Sequence, residues 1–348
     1  MLTAIKPRRF LIVRLSAIGD CVHTLPLLNA LRTNYPSSFI AWAVEGAAGK
    51  ILDGHGGLDE IIRLPRHFFS IPGIVWGLTN TLRRRSFDVA IDAQGLLKSA
   101  LVALLSGAPC RIGFAYPDGR ELSTWLNNRL VQARAVHVVE QTLELLQPLG
   151  IKNPAAVFHL PENRPAREGM RRYLADQDLA AGFAVINPGA GWPNKLWPPE
   201  RFAGVARHLA EVHCLPSLVV WAGEAEKSWA GTIVTRSAGS AIQAPPTTLP
   251  ELAALCRAAQ LFVSSDTGPL HIAAAVGTPC VGLFGPKPAE RNGAYGPSNI
   301  NVQKMIIPAT TRPRSAGKEC MLAIEVDDVC EACDQILAST TSVRKKTA

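Results

Sequence analysis

Short runs of apolar residues alternate along the chain with longer segments in which apolar residues recur every three or four positions. The short runs predict buried β-strands, and the longer segments predict amphipathic helices. The predicted strands are Phe10–Leu15, Phe39–Val44, Val89–Asp92, Ala184–Asn187, Leu218–Trp221, Leu261–Ser264 and Cys280–Phe284. The predicted helices are Pro26–Thr33, Val75–Arg84, Lys98–Leu105, Val138–Leu149, Pro199–Val212, Leu249–Ala259, Pro269–Val276 and a last one near Asp327–Leu337. This alternation predicts an α/β protein with parallel sheets covered by helices.

The alternation pauses once, in the polar and proline-rich segment Leu160–Arg167, which is typical of a linker. A chain of 348 residues is long enough for two domains of ordinary size. We therefore predict a first domain over residues 1–165 and a second over residues 166–348. The sequence leaves open whether the last predicted helix packs on the second domain or returns to the first.

Composition excludes some classes of protein and favours others. Hydrophobic residues make up 47% of the chain and charged residues 18%, which excludes a disordered protein. The formal net charge of +8 favours a polyanionic partner, such as a phosphate compound, an anionic membrane surface or nucleic acid. The sequence contains no recognised nucleic-acid-binding motif, and its seven Trp and four Tyr are scattered. We therefore expect no nucleic-acid partner.

The cysteines and the apolar runs indicate the cellular compartment. Eight cysteines are too few for a disulfide scaffold in a chain of this length, so we expect reduced thiols. Cys330 and Cys333 form a C-x-x-C pair without a second pair at zinc-site spacing, and we expect no metal there. No apolar run reaches the roughly 18 residues of a spanning helix. Because Arg14 ends the apolar run after Arg8 and Arg9, we expect no export signal and a cytoplasmic protein.

The ends of three predicted strands carry the candidate chemistry, because ligands of doubly wound sheets bind beyond the carboxyl ends of the strands. Asp20 follows the first strand, in the turn Ser16–Asp20. It is either the N-cap of the next helix or a catalytic carboxylate. Pro26 predicts that this helix starts or kinks near that residue. The turn lacks G-x-G-x-x-G, which argues against a dinucleotide-binding oxidoreductase.

The other two strand ends lie in the second predicted domain. The segment Ser265–His271 places small residues and a proline at a helix start, where unpaired N–H groups can receive a phosphate. Asp266 beside that phosphate would more readily bind sugar hydroxyls, and His271 can reach back from one turn into the helix. The alternative is an ordinary capped helix with a packed histidine. Lys195, in the loop Asn187–Pro198, is either a cation for a leaving phosphate or a solvated lysine.

Several motifs along the chain resemble those of the lipopolysaccharide heptosyltransferases, which form glycosyltransferase family 9. The matching segments are Val13–Pro26 (VRLSAIGDCVHTLP), Trp42–Glu45 (WAVE), Ala90–Ala100 (AIDAQGLLKSA), Lys195–Pro198 (KLWP), Ser265–His271 (SDTGPLH) and Phe284–Pro286 (FGP). Their order and spacing match over most of the chain. The segment Ala90–Ala100 is the most specific, and it resembles the enzymes that add the first heptose.

The resemblance implies a GT-B fold, in which two Rossmann-like doubly wound domains face a central cleft. It also implies an N-terminal acceptor domain and a C-terminal donor domain. The implied donor is ADP-L-glycero-β-D-manno-heptose, and the implied acceptor is a Kdo sugar of lipid A-Kdo. Such enzymes invert the anomeric carbon and need no metal or other cofactor. They act at the cytoplasmic face of the inner membrane, so an anionic membrane surface is an implied partner.

The resemblance also implies roles for individual residues. Asp20 matches the catalytic base, and Lys195 matches the lysine that contacts the donor phosphates. The implied donor-binding residues are Ala190, Gly191, Lys195, Glu226, Asp266, Thr267, Gly268 and His271. On the acceptor side, Arg120 and His137 match family positions. Arg63 and Arg66 form a basic run that is either solvated or meets an acidic substrate or a membrane.

The chain departs from the family pattern at a few positions. Ala190 and Gly191 stand where hydroxyl residues are expected, Lys287 stands where a threonine is usual, and Gln141 replaces an acceptor-side arginine. The alternatives are therefore another nucleotide-sugar donor, a later heptose acceptor, or a protein that binds sugar nucleotides or polyanions without catalysis.

Overall fold

The computed structural model describes residues 8–307 and 313–347, with side chains up to residue 339. The chain divides into two compact units, Met1–Pro161 and Glu162–Ala348. The division falls four residues before the position that the linker segment indicated. Each unit is an α/β layer structure of the kind predicted from the alternating pattern.

The first unit is built on a six-stranded parallel sheet with the strand order β3-β2-β1-β4-β5-β6. Its strands are β1 Arg9–Val13, β2 Phe39–Glu45, β3 Glu60–Leu64, β4 Val89–Asp92, β5 Cys110–Phe114 and β6 Arg129–Val131. Its helices are α1 Ile18–Asn34, α2 Pro72–Arg83, α3 Leu97–Leu105, α4 Ser123–Leu126 and α5 Val138–Glu144. The central strand β1 is apolar after its first residue because helices cover both faces of the sheet.

The second unit repeats this design with the order β12-β11-β10-β7-β8-β9, again with all strands parallel. Its strands are β7 Ala184–Asn187, β8 Ser217–Val219, β9 Ala241–Gln243, β10 Leu261–Ser265, β11 Cys280–Leu283 and β12 Ile300–Val302. Its helices are α6 Arg164–Asp176, α7 Pro199–His213, α8 Gly223–Arg236, α9 Leu249–Ala258, α10 Gly268–Ala275, α11 Ala289–Asn292, α12 Glu319–Leu322 and α13 Val326–Thr347.

Both sheets have the strand order of doubly wound nucleotide-binding folds. In such a sheet the connections change direction between the first and fourth strands, and a crevice opens there beyond the carboxyl ends. The pairs concerned are β1 with β4 and β7 with β10. The fold thus directs attention to the residues that follow these four strands.

Helix α1 corrects one of the two alternatives predicted from Pro26, that the helix starts near this residue. The helix begins at Ile18 and continues past this proline to Asn34, so its start was predicted eight residues too late. A proline inside a helix costs about 3 kcal/mol. The buried side chains of Val22, Leu25 and Leu28 outweigh this cost, since full burial of such a residue contributes about 1.5–3 kcal/mol.

The linker prediction was also partly wrong. Helix α6 begins at Arg164, inside the segment interpreted as a linker. The side chain of Asn163 accepts a hydrogen bond from the N–H of Ala166, and Pro165 occupies the first turn, where it is tolerated. Polar and proline-rich composition here marks a capped helix start rather than a longer connection.

Helix α13 packs on α7, β11 and β12, all within the second unit. The indole of Trp197 donates a hydrogen bond to the carbonyl of Ile324 just before this helix, at 2.9 Å. Gly204 of α7 leaves room for Val326, because a Cβ atom there would lie 3.1 Å from a Val326 methyl group. In the part of the chain that the structure describes, no helix has the length and apolarity needed to span a membrane.

Candidate active site

The loop that follows β7 brings Lys195 into the interior of the second unit. It ends in a 3₁₀ turn, Pro193–Lys195, whose cation lies among buried residues. The ammonium group forms an ion pair with the carboxylate of Asp266, which follows β10, and both side chains are less than one tenth exposed. This placement excludes the solvated-lysine alternative.

The Asp266 carboxylate interacts with several cationic side chains. His271, one turn into α10, lies with Nε2 3.4 Å from Asp266 Oδ1. Burial acts to raise the pKa of Asp266, but the hydrogen bond from His271 and the charges of Lys195 and Lys287 outweigh it, and the pKa is lowered. Asp266 is therefore a buried, ionised acceptor at neutral pH, with lone pairs that can serve sugar hydroxyls.

Three cations surround the indole ring of Trp192. The distances to the ring centroid are 4.4 Å for Lys195 Nζ, 5.1 Å for Lys287 Nζ and 4.8 Å for Arg314 Cζ. No two of these charges are more than about 10 Å apart, a range over which cations repel appreciably near a protein surface. Among the described residues, neither Lys287 nor Arg314 takes part in an ion pair. This cationic cluster carries a surplus of positive charge and suits a diphosphate.

Glu226 lies against the glycine turn that follows β7. Its Oε2 accepts a hydrogen bond of 2.8 Å from the N–H of Ala222, and a Cβ atom at Gly189 would overlap its carboxylate. Burial raises the pKa of Glu226 above its ordinary value, although the bond from Ala222 acts in the opposite direction. Because Gly189 has no side chain, the Glu226 carboxylate can lie beside the turn that follows β7.

The start of α10 is fixed by a polar network between β7 and β10. The amide of Asn187 donates to Ser264 Oγ at 2.9 Å and to Thr267 Oγ1 at 3.3 Å. Thr267 is the N-cap residue, and its hydroxyl makes no cap hydrogen bond. With Gly268 as the first helical residue, the N–H groups at this end can meet an anion. Ala190, which is half-buried, belongs to the β7 loop of the same unit.

Gly191 completes this loop and is exposed, with open space where a Cβ atom would lie. It offers a backbone N–H but no side-chain donor. The second unit therefore brings together Lys195, Asp266, His271 and Thr267, four of the donor-side residues expected from sequence.

In the first unit, Asp20 stands in the first turn of α1, directly beyond β1. Its Oδ2 accepts a hydrogen bond of 3.0 Å from the N–H of Ala17, and its Oδ1 lies 2.9 Å from a guanidinium nitrogen of Arg14. The N-cap of the helix is Ala17, so the interpretation of Asp20 as N-cap was wrong. The carboxylate is oriented by two donors while its side chain remains 40% exposed.

The end of β4 supports the segment around Asp20. Asp92 is fully buried and accepts hydrogen bonds from the N–H groups of Gln94 and Gly95 at 3.1 and 3.0 Å. Burial raises the pKa of Asp92 even though these bonds act to lower it. The amide oxygen of Gln94 accepts in turn from the N–H of Leu15, at 2.8 Å. This network holds the β1 and β4 ends together at the switch point.

Two acceptor-side residues expected from the resemblance lie close to this edge. The N–H of Arg120 donates to the carbonyl of Gly95, while its side chain is exposed. His137 caps α5 through Nδ1, which accepts from the N–H of Val139. Its ring packs edge-on against His23, three residues after Asp20 on α1, at a centroid distance of 5.7 Å.

The two arginines of the basic run lie beside the neighbouring strands. Arg63 is an exposed residue of β3, and it forms an ion pair with Asp53. Arg66 is exposed, and its Nε lies 3.6 Å from the place where a Cβ atom of Gly46, just after β2, would lie. Arg63 is thus partly neutralised, and the first unit does not present the run as a uniform cationic patch.

Sequence reasoning missed several residues of these sites. Arg14 pairs with Asp20, and Glu45 pairs with Lys98. Arg14, Glu45 and Lys98 lie in the VRLS, WAVE and LLKS segments in that order, so the motifs themselves could have indicated these residues. For Trp192 and Arg314 the sequence carried no comparable signal, because they meet only in the folded chain.

The C-x-x-C pair is part of the core of the second unit. Cys330 and Cys333 are residues of α13 that are buried in this core. Burial raises the pKa of the Cys330 thiol to about 11. Both cysteines are buried, and the thiol form is favoured at neutral pH.

Comparison with known proteins relates these sites to a family. The family model described as glycosyltransferase family 9 (heptosyltransferase) matches residues 75–320. Lipopolysaccharide heptosyltransferase 1 of Pseudomonas aeruginosa is 30% identical over 306 residues, which cover 84% of this chain and 83% of that protein. Lipopolysaccharide heptosyltransferase 3 of Escherichia coli K12 is 27% identical over 341 residues, covering 92% and 95%.

A solved structure agrees with the fold. Escherichia coli heptosyltransferase WaaC with ADP superposes with a TM-score of 0.75 and 24% identity, over 94% of this chain and 99% of that one. The two parallel six-stranded sheets therefore belong to the GT-B class, which confirms the predicted fold class.

Proposed function

We propose a specific reaction for this chain, which belongs to glycosyltransferase family 9, the heptosyltransferases. It transfers heptose from ADP-L-glycero-β-D-manno-heptose to a Kdo sugar of lipid A-Kdo. This transfer is a step of lipopolysaccharide core synthesis. The observation that carries the proposal is made at the switch point of the second unit. There the buried ion pair of Lys195 with Asp266 lies beside two further cations, Lys287 and Arg314, which add positive charge. A carboxylate oriented by two donors at the other switch point supports it.

The second unit binds the donor. Lys195, Lys287 and Arg314 neutralise the diphosphate, and the N–H groups at Thr267–Gly268 add hydrogen bonds. The extra cations compensate for the hydroxyl groups that Ala190 and Gly191 lack. ADP in the WaaC structure supports an adenosine diphosphate donor.

Two carboxylates orient the two sugars of the donor. Glu226 accepts from the ribose hydroxyls beside the glycine turn, and its position next to Gly189 supports this role. Asp266 accepts from heptose hydroxyls, held in place by Lys195 and His271.

The transfer is a direct displacement that inverts the anomeric carbon. Asp20 accepts the proton of the attacking acceptor hydroxyl, and general base catalysis of this kind contributes about 10²–10⁴-fold. Arg14 acts as a positioning residue for that carboxylate. As the C–O bond to ADP breaks, the leaving diphosphate gains negative charge, which Lys195 stabilises electrostatically. Because the chain's own cations meet the phosphates, the transfer step needs no metal ion.

The first unit binds the acceptor. Arg63, Arg66 and Arg120 offer charge to the phosphates and carboxylates of Kdo-lipid A, and His137 lies beside the helix that carries Asp20. The similarity to a heptosyltransferase 3 makes an already heptosylated core the second candidate acceptor.

The enzyme associates peripherally with the cytoplasmic face of the inner membrane, through α2 and the residues around it. Trp76 in α2 is 72% exposed and Ile71, just before the helix, is 52% exposed, and Arg83 and Arg84 are exposed at the end of the same helix. An aromatic side chain with nearby cations suits an anionic lipid surface, where each near-surface cation contributes about 1 kcal/mol. Flotation with anionic vesicles, but not with neutral ones, tests this, and Trp76→Ala should reduce it.

The experiment that tests the reaction is mass spectrometry of products formed from ADP-heptose and Kdo-lipid A, with and without the protein. One added heptose on Kdo, with the anomeric configuration inverted, is expected. A product only on a heptosylated core assigns the later acceptor. Thermal shifts with ADP-, UDP- and GDP-sugars distinguish other donors, and nucleotide binding without any transfer supports a non-catalytic protein. Activity that a strong chelator abolishes and magnesium restores contradicts the metal-free scheme.

A further inference from the structure

Two histidines and one aspartate of the second unit converge outside the donor site. His208 and His213 belong to α7, and Asp334 belongs to α13, more than 120 residues later. His208 Nε2 lies 2.8 Å and His213 Nε2 lies 2.5 Å from the same oxygen, Asp334 Oδ1. The three candidate ligand atoms all lie within 4.8 Å of one another. Both imidazole rings are thus directed at one point.

The packing of α7 against α13 holds this geometry, because the two helices contact each other near both ends of α7. Near the start of α7, Arg201 forms an ion pair with Glu325, just before α13 begins. Gly204 faces Val326 one turn later, and His213 at the end of α7 reaches Asp334. The helices therefore run in the same direction, and the three side chains do not depend on a loop for their placement.

The donor set identifies the kind of ion that would fit. Two imidazole nitrogens with one carboxylate oxygen suit Zn²⁺, Cu²⁺, Ni²⁺ or Co²⁺, whereas Mg²⁺ and Ca²⁺ prefer oxygen ligands. The histidine side chains are about one quarter exposed and that of Asp334 is 44% exposed, so an ion can enter and keep water on its open positions. Zn²⁺ bonds to histidine and carboxylate are about 2.0–2.2 Å long. A small movement of the three side chains is sufficient to enclose it.

We propose that His208, His213 and Asp334 form a binding site for a zinc-type divalent transition-metal ion that fastens α13 to α7. The site lies toward the far end of α7 from Lys195. At 1.5 Å per residue, His208 and His213 stand roughly 14–21 Å along the helix from Pro199. The ion stabilises the fold and takes no part in sugar transfer, so this proposal is compatible with metal-free chemistry at the donor site.

The test is zinc titration of the untagged full-length protein, stripped with chelator and dialysed, at a pH above the ordinary pKa of histidine. Calorimetry should show one equivalent of Zn²⁺ bound, and Zn²⁺ should raise the melting temperature. His208→Ala and His213→Ala should each weaken the affinity at least about tenfold, because each removes a direct ligand. Asp334→Asn should also weaken it.

Two control variants separate this site from other zinc ligands. His67→Ala removes an exposed histidine of the first unit and should leave zinc affinity unchanged. Cys214→Ser removes the exposed thiol next to His213 and should also leave it unchanged. Wild-type protein without zinc binding overturns the proposal, as does affinity that survives in both histidine variants. Loss of binding in Cys214→Ser, with thiolate-to-cobalt absorption after Co²⁺ loading, overturns it by assigning the ion to the cysteine.

Discussion

The two units have the same strand order, but they differ in how exposed the charged pair at the switch point is. In the second unit the side chains of Lys195 and Asp266 are 7% and 8% exposed. In the first unit those of Arg14 and Asp20 are 16% and 40% exposed. One pair is thus enclosed by the protein, and the other presents its carboxylate to solvent.

This difference fits the two chemical tasks that we propose for the two units. Burying a charged pair costs free energy of desolvation, which the attraction between the partners only partly offsets. Such a pair is useful where charge must be stabilised in place, as at a departing diphosphate. A carboxylate that accepts a proton from an incoming hydroxyl must instead be reached by that hydroxyl, so it stays open.

The largest effect is expected at the open carboxylate. Asp20→Asn should lower turnover at least about 100-fold, because the amide cannot accept the proton. ADP affinity should change little. Steady-state kinetics and calorimetry with ADP measure the two quantities. Asp59→Asn is the matched control, since Asp59 is equally exposed and also paired with an arginine, Arg32. Equal loss in both variants, or turnover near normal in Asp20→Asn, removes Asp20 from the base role.

The enclosed pair should respond differently. Lys195→Met should weaken both ADP binding and turnover, roughly 10- to 100-fold in turnover, because the phosphate charge is present before and during the reaction. It should also lower the free energy of unfolding by about 3–5 kcal/mol, since Asp266 is left buried without its cation. Denaturant titration and kinetics measure these effects.

A double variant distinguishes lost stability from lost chemistry. Lys195→Met combined with Asp266→Asn should recover most of the stability while ADP binding remains weak. If the double variant recovers ADP binding as well, Lys195 acts only as a structural partner of Asp266.

The glycine turn offers a test of the nucleoside end of the donor. Gly189→Ala should weaken ADP binding about tenfold, because its new methyl group displaces the Glu226 carboxylate that is proposed to bind ribose. Gly169→Ala, on α6 of the same unit, where nothing lies within 4 Å of the added carbon, is the control. Calorimetry with ADP compares them, and identical affinities would argue against Glu226.

The surplus cations should contribute less, because they are nearer the surface. Lys287→Thr and Arg314→Ala should each weaken ADP binding by about two- to fivefold and make it less sensitive to salt. Lys318→Thr, an exposed lysine of the same unit, should change neither quantity. Salt sensitivity retained in both variants would place the diphosphate away from Trp192.

The smallest effect concerns pH. Burial raises the pKa of Glu226, so this carboxylate takes up a proton at a higher pH than an ordinary glutamate. Protonation removes acceptor capacity, and ADP affinity should therefore fall as pH is lowered from neutral toward the ordinary pKa of glutamate. In Glu226→Gln this part of the pH dependence should be missing. An unchanged pH profile in that variant would mean that another group titrates.

Hydrophobic patterning predicted the central strands well and the edge elements poorly. Strands β4 and β7 have the predicted bounds, because buried parallel strands are continuous apolar runs. The strands β3, β5, β6, β9 and β12 were not predicted. Each carries polar or charged residues and lies at or near a sheet edge, as Arg129–Val131 does, so the local pattern could not distinguish it from a loop.

The residues that we propose bind the donor could be selected from sequence largely because they stand in contiguous motifs. Ser265–His271 contains Asp266 and His271, and its position after a strand already indicated a site. By contrast, Arg314 meets Trp192 across more than 100 residues of chain. Distances of that kind depend on how the helices and strands pack.

The sequence by itself therefore determined the α/β class, and it indicated two units and the strand ends that we propose carry the chemistry, because periodicity and turn residues act over a few positions. Only the tertiary structure decided that Lys195 is enclosed with Asp266, that Asp20 stays open beside Arg14, and that three cations share one indole ring. Burial and the distance between charges depend on neighbours that are remote in sequence, and they set the pKa, the electrostatic strength and the accessibility of each group.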